Sequence, residues 1–263
     1  MRRCLSFIVL LMSLLGSGLL SAFSFCPTRD LGTVYIGPEV YHLHRSKKGG
    51  SWQSGWLYGG RSLYERRIPF GLYWALEGYY AYGHITGKSS SGRCLKSHLT
   101  ESEIEGRIGA SLCFKICPRV SITPYGGYGV YDNKNDFKHP SPIPCKFHDR
   151  IDYAAAGGIL TLRLKPCLEA SIDFKVRYML NGKSYVSHDP DQENTNLKMN
   201  NEFQYDVAVP IIYQTCWKNR TLKIYTAPFY RFRHFGGMFN FPYDFVETKL
   251  KSYGLRVMFA LSY

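Results

Sequence analysis

Past residue 25 the chain has no uninterrupted apolar run of the roughly 18 residues that a membrane-crossing helix requires. That excludes a helical membrane protein beyond the N-terminal segment and leaves strands as the only way to cross a bilayer. A glycine-rich phosphate cradle is also missing, because the Gly pairs at 59–60, 126–127 and 157–158 fall inside alternating stretches where small residues serve close packing or bulges. Metal-ligand spacing is lacking as well. His42 and His44 share a strand face but have no third partner, and CFKIC (Cys113 to Cys117) is a CxxxC with no repeat elsewhere, so neither metal nor cofactor is expected. Carboxylates are scarce, with 20 Asp and Glu against 33 Lys and Arg. This basic excess is dispersed along the chain, which argues against a nucleic-acid partner.

What is present begins with MRRCLSFIVLLMSLLGSGLLSAFSF. Arg2 and Arg3 precede an apolar segment from Leu5 to Leu15, followed by Gly16 and Gly18. This pattern predicts a secretory signal peptide over 1–24, with the small residues Ala22 and Ser24 at the cleavage site and Phe25 opening the exported chain. An uncleaved anchor is the alternative, since no charge falls between Arg3 and Arg29. Phe25 stands where a lipoprotein signal has a small residue before its cysteine, so Cys26 is not expected to carry lipid.

Tyr (21 residues), Phe (16) and Gly (25) are abundant, a mixture that favours strands over helices. Period-two alternation is long and regular. From Glu103 to Ile116 one face carries Ile104, Ile108, Ala110, Leu112 and Phe114, and the other Glu103, Glu105, Arg107 and Lys115. Leu168 to Leu180 repeats the pattern, with Ile172, Phe174 and Val176 against Asp173, Lys175 and Arg177.

Ten strands are predicted, at 33–44, 54–64, 70–83, 103–116, 120–131, 151–164, 168–180, 203–213, 222–233 and 249–263. Connections after even-numbered strands are short (ERRIP, KICPR, KPC, QTCWKN), and those after odd-numbered strands are long and polar. Short turns on one rim and long loops on the other define an all-β, transmembrane, antiparallel up-and-down barrel over 25–263, with eight strands as the alternative count. A soluble β-sandwich is the competing architecture. Pro38, Pro124, Pro210 and Pro228 fall inside proposed strands, where each removes a ladder donor, so bulges or strand ends are expected there.

The chain closes on YGLRVMFALSY, with Tyr253, Leu255, Val257, Phe259, Leu261 and Tyr263 on one face. A final strand with alternate apolar residues and a terminal aromatic resembles the signal that the outer-membrane assembly machinery recognises. On that ground the exported chain resembles the single-chain bacterial outer-membrane β-barrel class. The resemblance implies residence in the bacterial outer membrane, with outer-membrane lipid and lipopolysaccharide as surroundings.

In such a barrel Glu103, Glu105, Arg107, Lys115, Asp173, Lys175, Arg177, Asp206, Lys223, Arg231 and Arg256 face the lumen, where ion pairing is expected to fill a narrow interior. A small-diameter porin is the alternative function. His148-Asp149, His188-Asp189, His234 and Asp244 are the candidate outer-rim catalytic groups. Ten-stranded outer-membrane proteases of the omptin type resemble the chain in strand number alone, because no matching set of acidic and His motifs stands at strand ends. A barrel esterase pattern is also missing, so no enzyme is expected, with an outer-rim hydrolase as the remote alternative.

Seven cysteines follow the signal: Cys26, Cys94, Cys113, Cys117, Cys145, Cys167 and Cys216. The odd count leaves at least one thiol free or paired with another molecule in an oxidising compartment. Cys26, Cys117, Cys167 and Cys216 map to the short-turn rim, which resembles the disulfide-linked outer-membrane proteins of chlamydial-type envelopes and implies cross-linked envelope partners; intramolecular bridges such as Cys94 with Cys145 are the alternative. The long loops carry Arg45, Lys47, Lys48, Lys88, Arg93 and Lys96, suited to lipopolysaccharide phosphates or anionic host glycans. The sequence therefore predicts a structural and surface-interaction barrel.

Overall fold

The structure, a computed structural model, describes residues 23–25, 31–68, 71–114, 117, 119–142, 144–190, 193–217 and 220–262. Among them are fourteen strands and no helix: β1 (Phe23–Phe25), β2 (Leu31–Lys47), β3 (Trp52–Arg67), β4 (Leu72–Lys88), β5 (Cys94–Ala110), β6 (Leu112–Phe114), β7 (Val120–Phe137), β8 (Lys146–Lys165), β9 (Leu168–Ser187), β10 (Thr195–Lys198), β11 (Phe203–Ala208), β12 (Ile211–Trp217), β13 (Arg220–Phe235) and β14 (Thr248–Ser262). Residues 1–22 of the expected signal segment and Cys26 lie outside the described residues, and its last two residues, Phe23 and Ser24, fall in β1.

Every wall strand pairs antiparallel with its sequence neighbour, and β14 returns to β2 from Thr248↔Lys47 to Phe259↔Ile36, which closes the sheet. β5 and β6 form one stave against β7. β10, β11 and β12 form another, because Lys198↔Lys183, Phe203↔Tyr178 and Ile211↔Ala170 keep one register against β9. The fold is thus a closed ten-stave all-β barrel. The short β1 pairs with β6.

The prolines resolve in two ways. Pro210 sits in the gap between β11 and β12, where its carbonyl accepts from the Ser171 N–H at 2.7 Å. Pro38, Pro124 and Pro228 stay within continuous strands, the first two opposite Gly60 and Gly158, contrary to the expected bulges or strand ends. Two glycines have a different use: a side chain at Gly129 would overlap the Tyr153 ring, and one at Gly157 the Tyr125 ring, so both make room for lumen tyrosines.

The ten expected staves are present but longer at the loop end, β7 running to Phe137, β9 to Ser187 and β5 starting at Cys94. The cause is an inversion along each stave. In β5, Ile104 and Ile108 point out while Glu101, Glu103, Glu105 and Arg107 point in. Four residues nearer the rim Leu95 and Leu99 point in, and Lys96 and His98 point out. An apolar-out belt thus gives way to an apolar-in wall. At about 3.4 Å per residue, a 17-residue strand tilted near 40° rises about 44 Å, well above an apolar band of about 25 Å.

The interior is tiered. At the outer end Leu43, Ile85, Leu99, Ile151, Val186, Phe235 and Leu250 pack into one apolar cluster, each fully buried aliphatic or aromatic side chain worth about 1.5–3 kcal/mol. At the short-turn end Tyr35, Tyr73, Tyr125, Tyr225, Ile159 and Met258 form a second. The charged groups lie between.

Candidate functional site

The charged tier is built by the inward phase of eight strands. Its carboxylates are Glu39, Glu77, Glu101, Glu103, Glu105, Asp173 and Asp206, and its cations Arg61, Arg107, Lys175, Arg177, Arg231, Arg233 and Arg256. Seven stand against seven, so the tier balances its own charge. Arg177 grips Glu103 through two bonds of 2.8 Å and reaches Asp206 at 2.7 Å; Arg233 adds a 2.6 Å bond to Glu103. Glu105 accepts from Lys175 at 2.8 and 3.0 Å, from Arg107 Nε at 2.5 Å and from the Tyr153 hydroxyl at 2.8 Å.

Arg61 bridges Glu39 and Glu77, and Arg107 also donates to Glu77. Glu39 further receives Arg231 and Arg256, both at 3.3 Å. Glu101 is held by the Tyr41 and Tyr131 hydroxyls instead of by a cation. Aromatic faces cover the guanidinium groups, with Arg233 at 4.0 Å over Tyr131, Arg256 at 4.3 Å over Phe229 and Arg177 at 4.6 Å over Tyr153. These groups are almost wholly shielded from solvent. Between this tier and the short-turn rim a cavity of about 30 Å3, bordered by Arg107, Asp173, Tyr225 and Arg256, has room for a single water.

Of the expected lumen charges, Glu103, Glu105, Arg107, Asp173, Lys175, Arg177, Asp206, Arg231 and Arg256 come together in this tier. Lys223 lies lower, donating to Thr33 at 3.1 Å, and Lys115 lies outside the described residues. Sequence reasoning missed Glu39, Arg61, Glu77, Glu101 and Arg233. The signal was available: Glu77 is the sole charge in LYWALEGYYAY, and it shares the phase of Tyr73, Ala75 and Tyr79.

At the outer rim Lys48, Lys88 and Arg93 are exposed at loop positions or strand ends. Four of the expected loop residues, Arg45, Lys47, Lys88 and Lys96, lie on strands, with Lys47 the last residue of β2 and Lys88 the last of β4. Arg45 lies on β2, points inward and is 2% exposed, because the strand runs on to Lys47. Lys96 lies on β5 and points outward.

Adjacent residues on a strand face opposite sides, so His148 and Asp149 do not form a pair. His148 points outward to Asp132 at 2.5 Å, while Asp149 is buried and accepts from the Ser184 hydroxyl at 2.5 Å. His188 has a positive φ of 61°, and Asp189 accepts from the Tyr243 hydroxyl at 2.8 Å. His234 sits between Glu247 at 2.9 Å and Glu202 at 3.5 Å. Hydrogen bonds from Lys249 and His234 hold the Glu247 carboxyl below its ordinary range. His42 packs between Trp56 and Tyr253, and His44 against Trp52. No group of three metal-ligating side chains occurs among the described residues.

Cys94, Cys117, Cys145 and Cys167 are free thiols, so the alternative Cys94–Cys145 bridge is not made, and the cross-linked chlamydial type finds no support. Cys94 is exposed on the outer rim, whereas Cys145 is buried, and its burial, with the Asp189 carboxylate beside it, pushes its thiol up to about 11. Cys113 is not among the free thiols. The Cys216 side chain lies outside the described residues. On the final strand Tyr253, Leu255 and Phe259 point outward and Val257 is half-buried; the Leu261 side chain and Tyr263 lie outside the described residues.

No family model matches the sequence, and no curated protein matches it either. Solved structures do. The outer membrane protease OmpT of Escherichia coli superposes with a TM-score of 0.52 at 15% identity, over 90% of this chain and 97% of its own. The translocator domain of the autotransporter NalP of Neisseria meningitidis gives 0.42 at 7% identity (88% and 89%), and the outer membrane protein OprG of Pseudomonas aeruginosa 0.37 at 10% (89% and 97%). The first match places the fold among bacterial outer-membrane β-barrels.

Proposed function

We propose that the chain is an integral outer-membrane barrel with a structural and surface-interaction role, which stiffens the envelope and presents a basic outer rim to sugar-borne anions of lipopolysaccharide or host glycans. One observation carries this reading. The charged tier balances seven carboxylates with seven cations inside the wall, whereas Lys48, Lys88, Arg93 and Lys96 on the outer rim have no carboxylate partner among the described residues. Charge that is spent internally holds the barrel shut, and charge left over outside is free to attract anions.

The membrane setting is supported by the outward belt of Val34, Ile36, Leu76, Ile104, Ile108, Leu160, Ile172, Phe174 and Phe259. The same outward placement of Tyr253, Leu255 and Phe259 supports a role for the last strand in assembly. Export by a signal over 1–24 accompanies the proposal. A porin role is disfavoured by the buried, paired lumen charges, and a hydrolase role by the opposite facing of His148, which bonds Asp132, and Asp149, which is buried and bonds Ser184.

The test is refolded full-length protein in nonionic detergent, titrated with heparin in rising salt. Replacing Lys48, Lys88, Arg93 and Lys96 together by Gln should weaken binding at least tenfold and flatten its salt dependence. Unchanged binding would overturn the basic-rim reading. In planar bilayers the wild type should give no discrete conductance steps, and regular steps would restore the porin.

A further inference from the structure

The outer mouth of the lumen holds a cation whose hydrogen bonds are not filled. Arg45 is 2% exposed, its Nε and Nη1 have no partner, and its Nη2 stands 3.7 Å from Asp149, beyond hydrogen-bond reach. Arg231 and Arg233 in the charged tier below also leave Nε and Nη1 open, but each hydrogen-bonds a carboxylate through Nη2, Arg231 to Glu39 at 3.3 Å and Arg233 to Glu103 at 2.6 Å, a bond that Arg45 lacks. A buried guanidinium with open donors costs free energy until an acceptor arrives. Lys47, two residues on and on the same inward phase, places its Nζ 4.8 Å over the Phe147 ring and makes no ion pair. One carboxylate, Asp149, thus faces two cations.

Beside them a cavity of about 160 Å3, roughly the volume of five waters, opens at the rim. Arg45, Lys47 and Gln53 line it with Ser89 and Ser90, and Trp52 and Phe137 supply apolar edges. Gln53 Nε2 already donates to Ser97 at 2.8 Å, which fixes its amide. The pocket combines two cations, hydroxyl groups and aromatic edges in a space that admits one anionic group and part of a sugar ring. It does not admit a polymer chain.

We propose that this pocket binds a single sugar-borne tetrahedral oxyanion, phosphate or sulfate, with Arg45 as the buried anchor and Lys47 as the rim contact. The inference deepens the surface-interaction reading, on which its biological setting rests, by naming the residues that select the anion. Arg45 supplies the directional donors that a tetrahedral oxyanion accepts, and Lys47 a movable point charge. The exposed Lys48 and Lys88 supply only general attraction.

The experiment is calorimetric titration of the refolded full-length protein with N-acetylglucosamine 6-phosphate, N-acetylglucosamine 6-sulfate and plain N-acetylglucosamine. The charged sugars should bind and the neutral one should not; preference for phosphate points to lipopolysaccharide, and preference for sulfate to a host glycan. Arg45→Gln should weaken binding by about tenfold or more and Lys47→Gln by several-fold, with Lys165→Gln, a cation exposed at the short-turn rim, within about twofold of wild type. Heat-modifiable gel mobility checks that each variant is folded, and Lys47→Gln keeps the test alive if Arg45→Gln is not. Wild type that binds none of the sugars, or folded Arg45→Gln and Lys47→Gln that bind normally, would overturn the pocket. If the pocket fails while the four-residue rim variant still loses heparin, the surface reading survives; if heparin ignores the rim while the pocket binds, only the pocket survives.

Discussion

The two ends of a single stave obey opposite rules. In β5 the half that holds Glu101 to Ile108 puts charge inside and aliphatic side chains outside, and the half that holds Cys94 to Leu99 does the reverse. Only the solvent around the wall differs. In the proposed membrane setting, lipid takes Ile104 and Ile108 at no cost and forces Glu103, Glu105 and Arg107 inward, where they must satisfy one another. Water takes Lys96 and His98 and drives Leu95 and Leu99 inward. On that proposal the barrel joins a lipid-facing half to a water-facing half end to end, and the charged tier is the consequence of the first rule alone.

The comparison is broken most severely at Glu105, which serves Lys175, Arg107, Arg177 and Tyr153 at once. Glu105→Ala leaves buried cations uncompensated and should cost about 3–5 kcal/mol, read as a lowered urea midpoint of the folded, heat-modifiable form. In the outer half the same inward phase is apolar, so Leu99→Ala should cost about 2–5 kcal/mol through a cavity and lost transfer energy, in detergent and in lipid alike. Ile104→Arg sharpens the contrast, since its outward side chain is 65% exposed in the isolated chain. It should cost about 2–4 kcal/mol in liposomes and much less in detergent micelles, which let a charge reach water. Equal costs in both media would mean that the belt does not face lipid.

The barrel was legible from the sequence because its belt half alternates without error, as in Ile104 to Leu112 and Leu168 to Leu180. The outer half was not, for two physical reasons. The hydrophobic phase inverts across Thr100 and Glu101, so a reader following apolar positions loses the strand where its surroundings change. In β9 a bulge opposite Asp152 and Tyr153 shifts the inward set from Met179 to Gly182, Ser184 and Val186. Arg45 was misplaced into a loop for the same reason, since charge two residues from a turn reads as solvent-facing when the strand end is set too early. The lumen network was half visible: its carboxylates and cations follow one phase, but which of them share a partner depends on stave curvature that no spacing encodes.

The smallest effect lies on the outer surface, where the same charges meet in water. Lys249 and Glu247 pair at 2.9 Å with side chains 45% and 27% exposed. Lys249→Ala should cost no more than about 0.5 kcal/mol, and less in high salt. Because bonds from Lys249 and His234 lower the Glu247 pKa from its ordinary 4.5, the pairing is at full strength above that value and is lost as pH falls through the lowered one. Urea midpoints of wild type and Lys249→Ala should therefore differ slightly at pH 7 and converge in acid. A cost approaching that of Glu105→Ala would mean that the outer half, too, relies on charge for its cohesion, and the division of the stave into a lipid-ruled and a water-ruled half would fail.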